Sequence, residues 1–173
     1  MKKILYIFTI VIALVLFATG CKTAENDLPS TFDLPSSSDL PSSPAGSVPI
    51  ELKPIKYTVK QKINVYFFWG DGCPHCAEAE ILFNQIKDDY SDCYNLVAYE
   101  TWKNPTNAAF LTQVFGKLNI AAADRGVPLF VMGDQYEIGY IEDMAQGILE
   151  KITNACSSDS YKDIIAPMLI RNN

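Results

Sequence analysis

From Ile55 onward the hydrophobic positions fall into blocks of two different periods. Ile55-Lys56-Tyr57-Thr58-Val59 alternates apolar with polar, which predicts a short leading strand at a sheet edge. Ile63 to Trp69 is almost continuously apolar, as a central strand covered on both faces should be. In the next block, Cys76 to Tyr90, the apolar positions Ala79, Leu82, Phe83, Ile86 and Tyr90 recur at helical spacing. Asn95 to Glu100 returns to strand character. Asn104-Pro105-Thr106-Asn107 has the form of a helix start, and Phe110, Leu111, Val114, Phe115 and Leu118 supply that helix's buried stripe. Val127–Met132 and Tyr136–Tyr140, joined across Gly133-Asp134-Gln135, predict an antiparallel hairpin. A last helix carries Met144, Ile148, Leu149, Ile152 and Ala155 on one face, and Tyr161 to Ile170 predicts a short helical tail interrupted at Pro167. The order β, α, β, α, β, β, α predicts a parallel core closed by antiparallel strands. Residues 55–173 are the length of one small α/β domain.

The first 54 residues follow another pattern. Lys2 and Lys3 precede an apolar run from Ile4 to Ala18. That run is shorter than the roughly 18 residues of a membrane span and fits a signal-peptide core of about 7 to 15. Residues 1–20 are therefore expected to be a signal peptide. Ala18-Thr19-Gly20-Cys21 resembles the bacterial lipobox, although Ala18 stands where that motif usually has Leu. The resemblance implies a lipid on Cys21, a new N-terminus there, and a domain held at the cell membrane facing away from the cytoplasm. An uncleaved anchor, or an ordinary secretory signal with an incidental cysteine, is the competing reading. Residues 21–54 are then the anchor and a Ser/Pro-rich tether in which a hexad recurs from Asp27, Asp33 and Asp39. Apolar groups are too few there to offset an ordering cost of about 1 to 2 kcal/mol per residue, so disorder is expected.

Charge narrows the partners. The whole chain carries net −6; residues 1–20 hold two Lys and no acid, so their removal leaves net −8. An acidic surface argues against nucleic acid and against electrostatic docking on anionic lipid. A lipid on Cys21 would have to do the anchoring.

Candidate chemistry lies where the central strand meets the first helix, at Gly70-Asp71-Gly72-Cys73-Pro74-His75-Cys76. Pro74 suits a first helical turn, where its missing N–H leaves no bond unmade. The Cys73 sulfur then lies among the unpaired N–H groups of a helix start, an environment that favours the thiolate and lowers the cysteine pKa to about 3.5 to 7.5. Cys76, one turn on, is close enough to form a disulfide with it. His75 can support the thiolate through its dipole or, when protonated, its charge. A zinc or copper pair is the alternative, but a structural zinc site wants four ligands, the only histidine lies between the two cysteines, and no second Cys-X-X-Cys exists. A c-type haem would need His at position 77, which is Ala. No metal and no cofactor beyond the cysteine pair itself is expected.

Cys73-Pro74-His75-Cys76, with Gly126-Val127-Pro128-Leu129-Phe130-Val131-Met132-Gly133-Asp134, resembles the thioredoxin-like superfamily over roughly Lys62 to Cys156. Cys-Pro-His-Cys is similar to the active site of its DsbA-type disulfide oxidases, and the second motif to its cis-proline strand. The resemblance implies a thioredoxin-like fold, a cis Pro128 facing the cysteines, and Val127 and Pro128 bordering the groove for a partner's chain. It implies a membrane-anchored thiol-disulfide oxidoreductase, leaning to oxidase, acting on extracytoplasmic proteins with thiols or disulfides and served by a membrane redox partner. A reductase, or a non-catalytic or metal-binding lipoprotein on the same fold, is the alternative. DsbA-type oxidases insert a helical domain before the cis-proline strand; the 37 residues between Tyr90 and Pro128 leave no room for one. The superfamily also often buries an acid six residues before the first cysteine, where this chain has Phe67, with Glu78 and Glu100 as candidate substitutes. In this topology the first and last helices run away from the active-site end together. Cys93 and Cys156 are therefore expected to meet at the opposite pole in a structural disulfide.

Overall fold

The computed structural model describes residues 49–171. The expected signal peptide over 1–20, Cys21, and the tether as far as residue 48 lie outside them. The strands are β1 (Ile63–Trp69), β2 (Tyr94–Glu100), β3 (Leu129–Met132) and β4 (Gln135–Ile138). The helices are α1 (Pro74–Ile86), α2 (Pro105–Lys117), α3 (Ala145–Cys156) and α4 (Ala166–Arg171). They form one sheet in the order β2-β1-β3-β4, with β1 parallel to β2 and antiparallel to β3, and β3 antiparallel to β4. This is a thioredoxin-like α/β fold.

Its two layers follow from the alternation of β1. Val65, Phe67 and Trp69 point to one face, where they pack with Leu82, Phe83 and Ile86 of α1 and Ile148, Leu149 and Ile152 of α3. Tyr66 and Phe68 point to the other, against Phe110, Val114 and Phe115 of α2 and Ile165 and Met168 at α4. Both faces of β1 are thus covered, which explains why it lacks polar alternation. Aromatic side chains fill the first layer: Phe67 stacks on Phe130 with ring centroids 5.3 Å apart, and Phe83 tilts against both.

Helix starts are fixed locally. The Asn104 side chain accepts from the N–H groups of Thr106 and Asn107 at 3.0 and 3.1 Å, and Pro105 occupies the first helical position. Asp163 does the same for α4, its Oδ1 accepting from Ile165 and Ala166 at 2.9 Å each. Pro167 therefore lies in the first turn of the tail helix and does not interrupt it, because no N–H is needed there.

The expected leading strand at Ile55–Val59 does not form. Residues 50–62 instead run across α1 and α3, with Ile50 buried and Leu52, Ile55 and Tyr57 packed on the same core layer. Two glutamines take the place of a neighbouring strand. Gln85 of α1 accepts from Ile50 N at 2.9 Å and donates to Ile50 O at 2.7 Å, and Gln146 of α3 accepts from Lys53 N at 2.8 Å. Further along, Lys60 N and Gln61 N donate to the Cys156 carbonyl. Backbone groups of the segment thus find partners on and beside the helices rather than in the sheet. The packed chain accordingly begins by Ile50, within what reads in the sequence as tether.

Candidate functional site

The site lies at the pole where β1 and β2 end and β3 begins. The register pairs Trp69 with Glu100 and Phe68 with Leu129, so Gly70, Thr101 and the Val127–Pro128 pair lie side by side there. Gly139 after β4 joins the row by donating to the Pro128 carbonyl at 2.7 Å.

After β1 the chain turns through Asp71 and Gly72, with Gly72 at φ +83°, a conformation that suits glycine alone. Cys73 N donates to the Gly70 carbonyl at 3.0 Å and closes the turn. Cys73 is then the N-cap of α1, and its sulfur accepts from Cys76 N–H at 3.3 Å. A sulfur that accepts a backbone N–H at a helix start is stabilised as an anion by that bond and by the helix dipole. Cys73 and Cys76 form a disulfide with Cα atoms 5.2 Å apart. Cys76 is 0% exposed and Cys73 6%, so of the pair only Cys73 has any exposure. The Cys73 sulfur lies 3.9 Å from the Val127 carbonyl, and the Val127–Pro128 peptide is cis.

His75 projects outward, its Nδ1 3.3 Å from Glu78 Oε2, both side chains being more than half exposed. Its observed partner is therefore Glu78, and its link to Cys73 runs through the shared first turn of α1. Phe67, six residues before Cys73, is fully buried among aromatic rings. Glu78 is engaged by His75. Glu100 is engaged more heavily: its carboxylate accepts from the N–H groups of Asp71, Trp102, Lys103 and Asn104 at 2.8 to 3.3 Å. It is the fastener of the β2–α2 loop and of the turn leading to Cys73. Asp71 also pairs with Lys103, whose pKa is raised by that hydrogen bond.

Two residues escaped sequence reasoning. Glu80, 5% exposed, is the buried carboxylate among the described residues and accepts from Asn84 Nδ2 at 3.3 Å. Its helical phase with Cys76, four residues earlier, was the available signal. Trp102 is the other. Its ring lies so close over Gly70 that a Cβ there would come within 2.2 Å of it, yet 59% of the residue is exposed. Nothing in the sequence marks that placement, which depends on the Glu100 bonds.

At the far pole Cys93 and Cys156 form a second disulfide, Cα atoms 5.5 Å apart, linking the chain after α1 to the end of α3. Cys21 lies outside the described residues. No group of three or more His, Cys, Asp or Glu among the described residues could hold a metal ion. No helix among them is long and apolar enough to cross a membrane.

No family model matches the chain, and no curated protein does. Among solved structures it is similar to buckwheat glutaredoxin in complex with glutathione, at 16% identity and a TM-score of 0.39, over 54% of this chain and 79% of that one.

Proposed function

We propose that the protein is a membrane-anchored thiol-disulfide oxidoreductase acting outside the cytoplasm, with Cys73 as the exchanging sulfur and Cys76 as the resolving one. The observation that carries this reading is the Cys73 sulfur as N-cap of α1, accepting a backbone N–H and facing the Val127 carbonyl. In the oxidising direction a partner thiolate attacks Cys73 of the disulfide and the Cys76 thiolate leaves. The partner's second thiolate then attacks the mixed disulfide and displaces Cys73. Two electrons pass to the protein, two protons leave the partner's thiols, and the partner gains a disulfide. Anchoring through Cys21 and an extracytoplasmic location rest on the lipobox resemblance.

Donation of disulfides is the favoured direction. Pro74 and His75 between the cysteines, and Val127 before Pro128, resemble the oxidase members of the superfamily. The physical reason is that a better-stabilised Cys73 thiolate stabilises the reduced protein and makes its disulfide the stronger oxidant. A reductase is the second reading, favoured by the short connection between α1 and β3, which holds only β2, α2 and one 3-10 turn.

Replacing Cys76 with Ala should accumulate mixed disulfides on Cys73, seen as covalent adducts released by reductant. Adducts on another cysteine, or full activity with none, would overturn the assignment. Equilibration with glutathione sets the direction: a potential of about −120 to −180 mV supports donation, and one at or below about −250 mV supports the reductase.

A further inference from the structure

Two exposed large apolar residues, Trp102 and Ile141, follow the two outer strands of the sheet at the end where Cys73 lies. Trp102 follows the end of β2 and is 59% exposed; Ile141 follows β4 and is 53% exposed. The sheet order puts β1 with Cys73, and β3 with Val127 and Pro128, between them.

Trp102 is not a loose surface residue. Glu100 accepts its backbone N–H at 2.8 Å and those of Lys103 and Asn104 beside it. Thr101 binds the Trp69 carbonyl through both its N–H and its hydroxyl, each at 2.8 Å. The indole rests on Gly70, where any side chain would collide with it. The ring is therefore fixed with its outer face open, over a glycine that lies three residues before the redox cysteine. An apolar ring held rigidly in water gains its largest contact energy from a partner, with little ordering cost left to be met on binding.

We infer that Trp102 is a specificity-determining residue, forming with Ile141 a two-sided apolar seat for an extended partner segment that presents large apolar side chains on both sides of its cysteine. The spacing sets the register. Three inter-strand steps of roughly 4.8 Å separate the β2 and β4 sides, about 14 Å in all, which an extended chain at about 3.3 Å per residue crosses in about four residues. With the partner cysteine opposite Cys73, one strand step from the β2 side and two from the β4 side, its apolar side chains should fall about one to two positions from it toward Trp102 and about three toward Ile141. This inference rests on the redox reading of Cys73.

The test uses the full-length chain carrying Cys76→Ala, reduced, so that exchange stops at Cys73. Two short peptides carry one cysteine as a mixed disulfide with thionitrobenzoate, one with Leu at the second and third positions to either side and the other with Ser at all four. The Cys73 thiolate bonds to the peptide sulfur and expels the coloured thionitrobenzoate anion, and adduct mass locates the bond. The Leu peptide should react about tenfold faster than the Ser peptide. Trp102→Ala should bring that ratio close to one, and Trp102→Phe should retain most of it. Equal rates in the chain that keeps Trp102, or an undiminished ratio in Trp102→Ala, would overturn the inference alone. Release from both peptides no faster than by free cysteine would overturn the redox reading, and the inference with it.

Discussion

Glu100 shows how one side chain can shape a site without touching its chemistry. Four backbone N–H groups from two separate segments converge on its carboxylate, and they fix both the turn before Cys73 and the loop that carries Trp102. Hydrogen bonds to a charged acceptor are worth roughly 1.5 to 3 kcal/mol each when removal leaves the donors unpaired, and less where water can replace the acceptor. Glu100→Gln turns one accepting oxygen into a donor that faces N–H groups. It should lower stability by about 1 to 3 kcal/mol in urea denaturation; a change below about 0.5 kcal/mol would show that water serves the loop equally well. At this scale the sequence is least legible. The position of Cys73 between strand and helix can be read from Pro74 and from the change of period. The engagement of Glu100 and the exposure of Trp102 cannot, because both depend on backbone donors whose direction only the folded loop defines.

Among elements, β1 to α3 follow the order expected from hydrophobic period, and the departures have a common cause. Periodicity reports which side chains are buried, not what satisfies the backbone. Ile55 to Val59 alternates because Ile55 and Tyr57 pack on the core layer, while Ile55 N donates to the Tyr90 hydroxyl at 3.5 Å and Thr58 N to the Ser157 hydroxyl at 3.3 Å in place of a neighbouring strand. The hairpin is tighter than expected, turning at Gly133-Asp134 alone, since Gln135 already pairs with Met132. The linkage of α1 to α3 is covalent as well as apolar. Cys93 and Cys156 are 63 residues apart in sequence, so their bond restricts a long loop in the unfolded chain, worth about 2 to 4 kcal/mol. Replacing both with Ser should lower stability by about that much while the Cys73–Cys76 potential stays within about 20 mV of the parent. A larger shift in potential would mean that the far pole strains or supports the near one.

For the molecule as a whole, the tyrosines give the clearest pH signature. Tyr99, Tyr140 and Tyr161 are each pushed up to about 12, in every case first by burial and then by neighbouring carboxylates, Glu142 and Glu78 for Tyr140 and Asp163 for the other two. Tyr57 also rises to about 12 through burial and its hydrogen bond to Asp92. Tyr66 and Tyr94 are raised further by burial. A raised phenol pKa means that the fold favours the neutral form. The corresponding stability is complete below the unfolded value of about 10 and is lost as pH climbs through 12. Phenolate absorbance should therefore appear for these six only above pH 10 and coincide with loss of structure; their ionisation below pH 10 in the intact fold would contradict the packing of both layers.

The second disulfide has one more consequence, which is a matter of counting. Cys93 and Cys156 are fully enclosed, and their bond lies at the pole away from Cys73. A soluble dithiol acting on the folded domain should reach one of the two bonds, so reduction is expected to stop after one equivalent with two new thiols labelled per molecule, and reduction of both without denaturant would contradict it. Denaturant releases the other two. On the proposed redox reading the domain is then a two-electron carrier although it contains four oxidised sulfurs, and a partner that exchanges with it should meet one disulfide only.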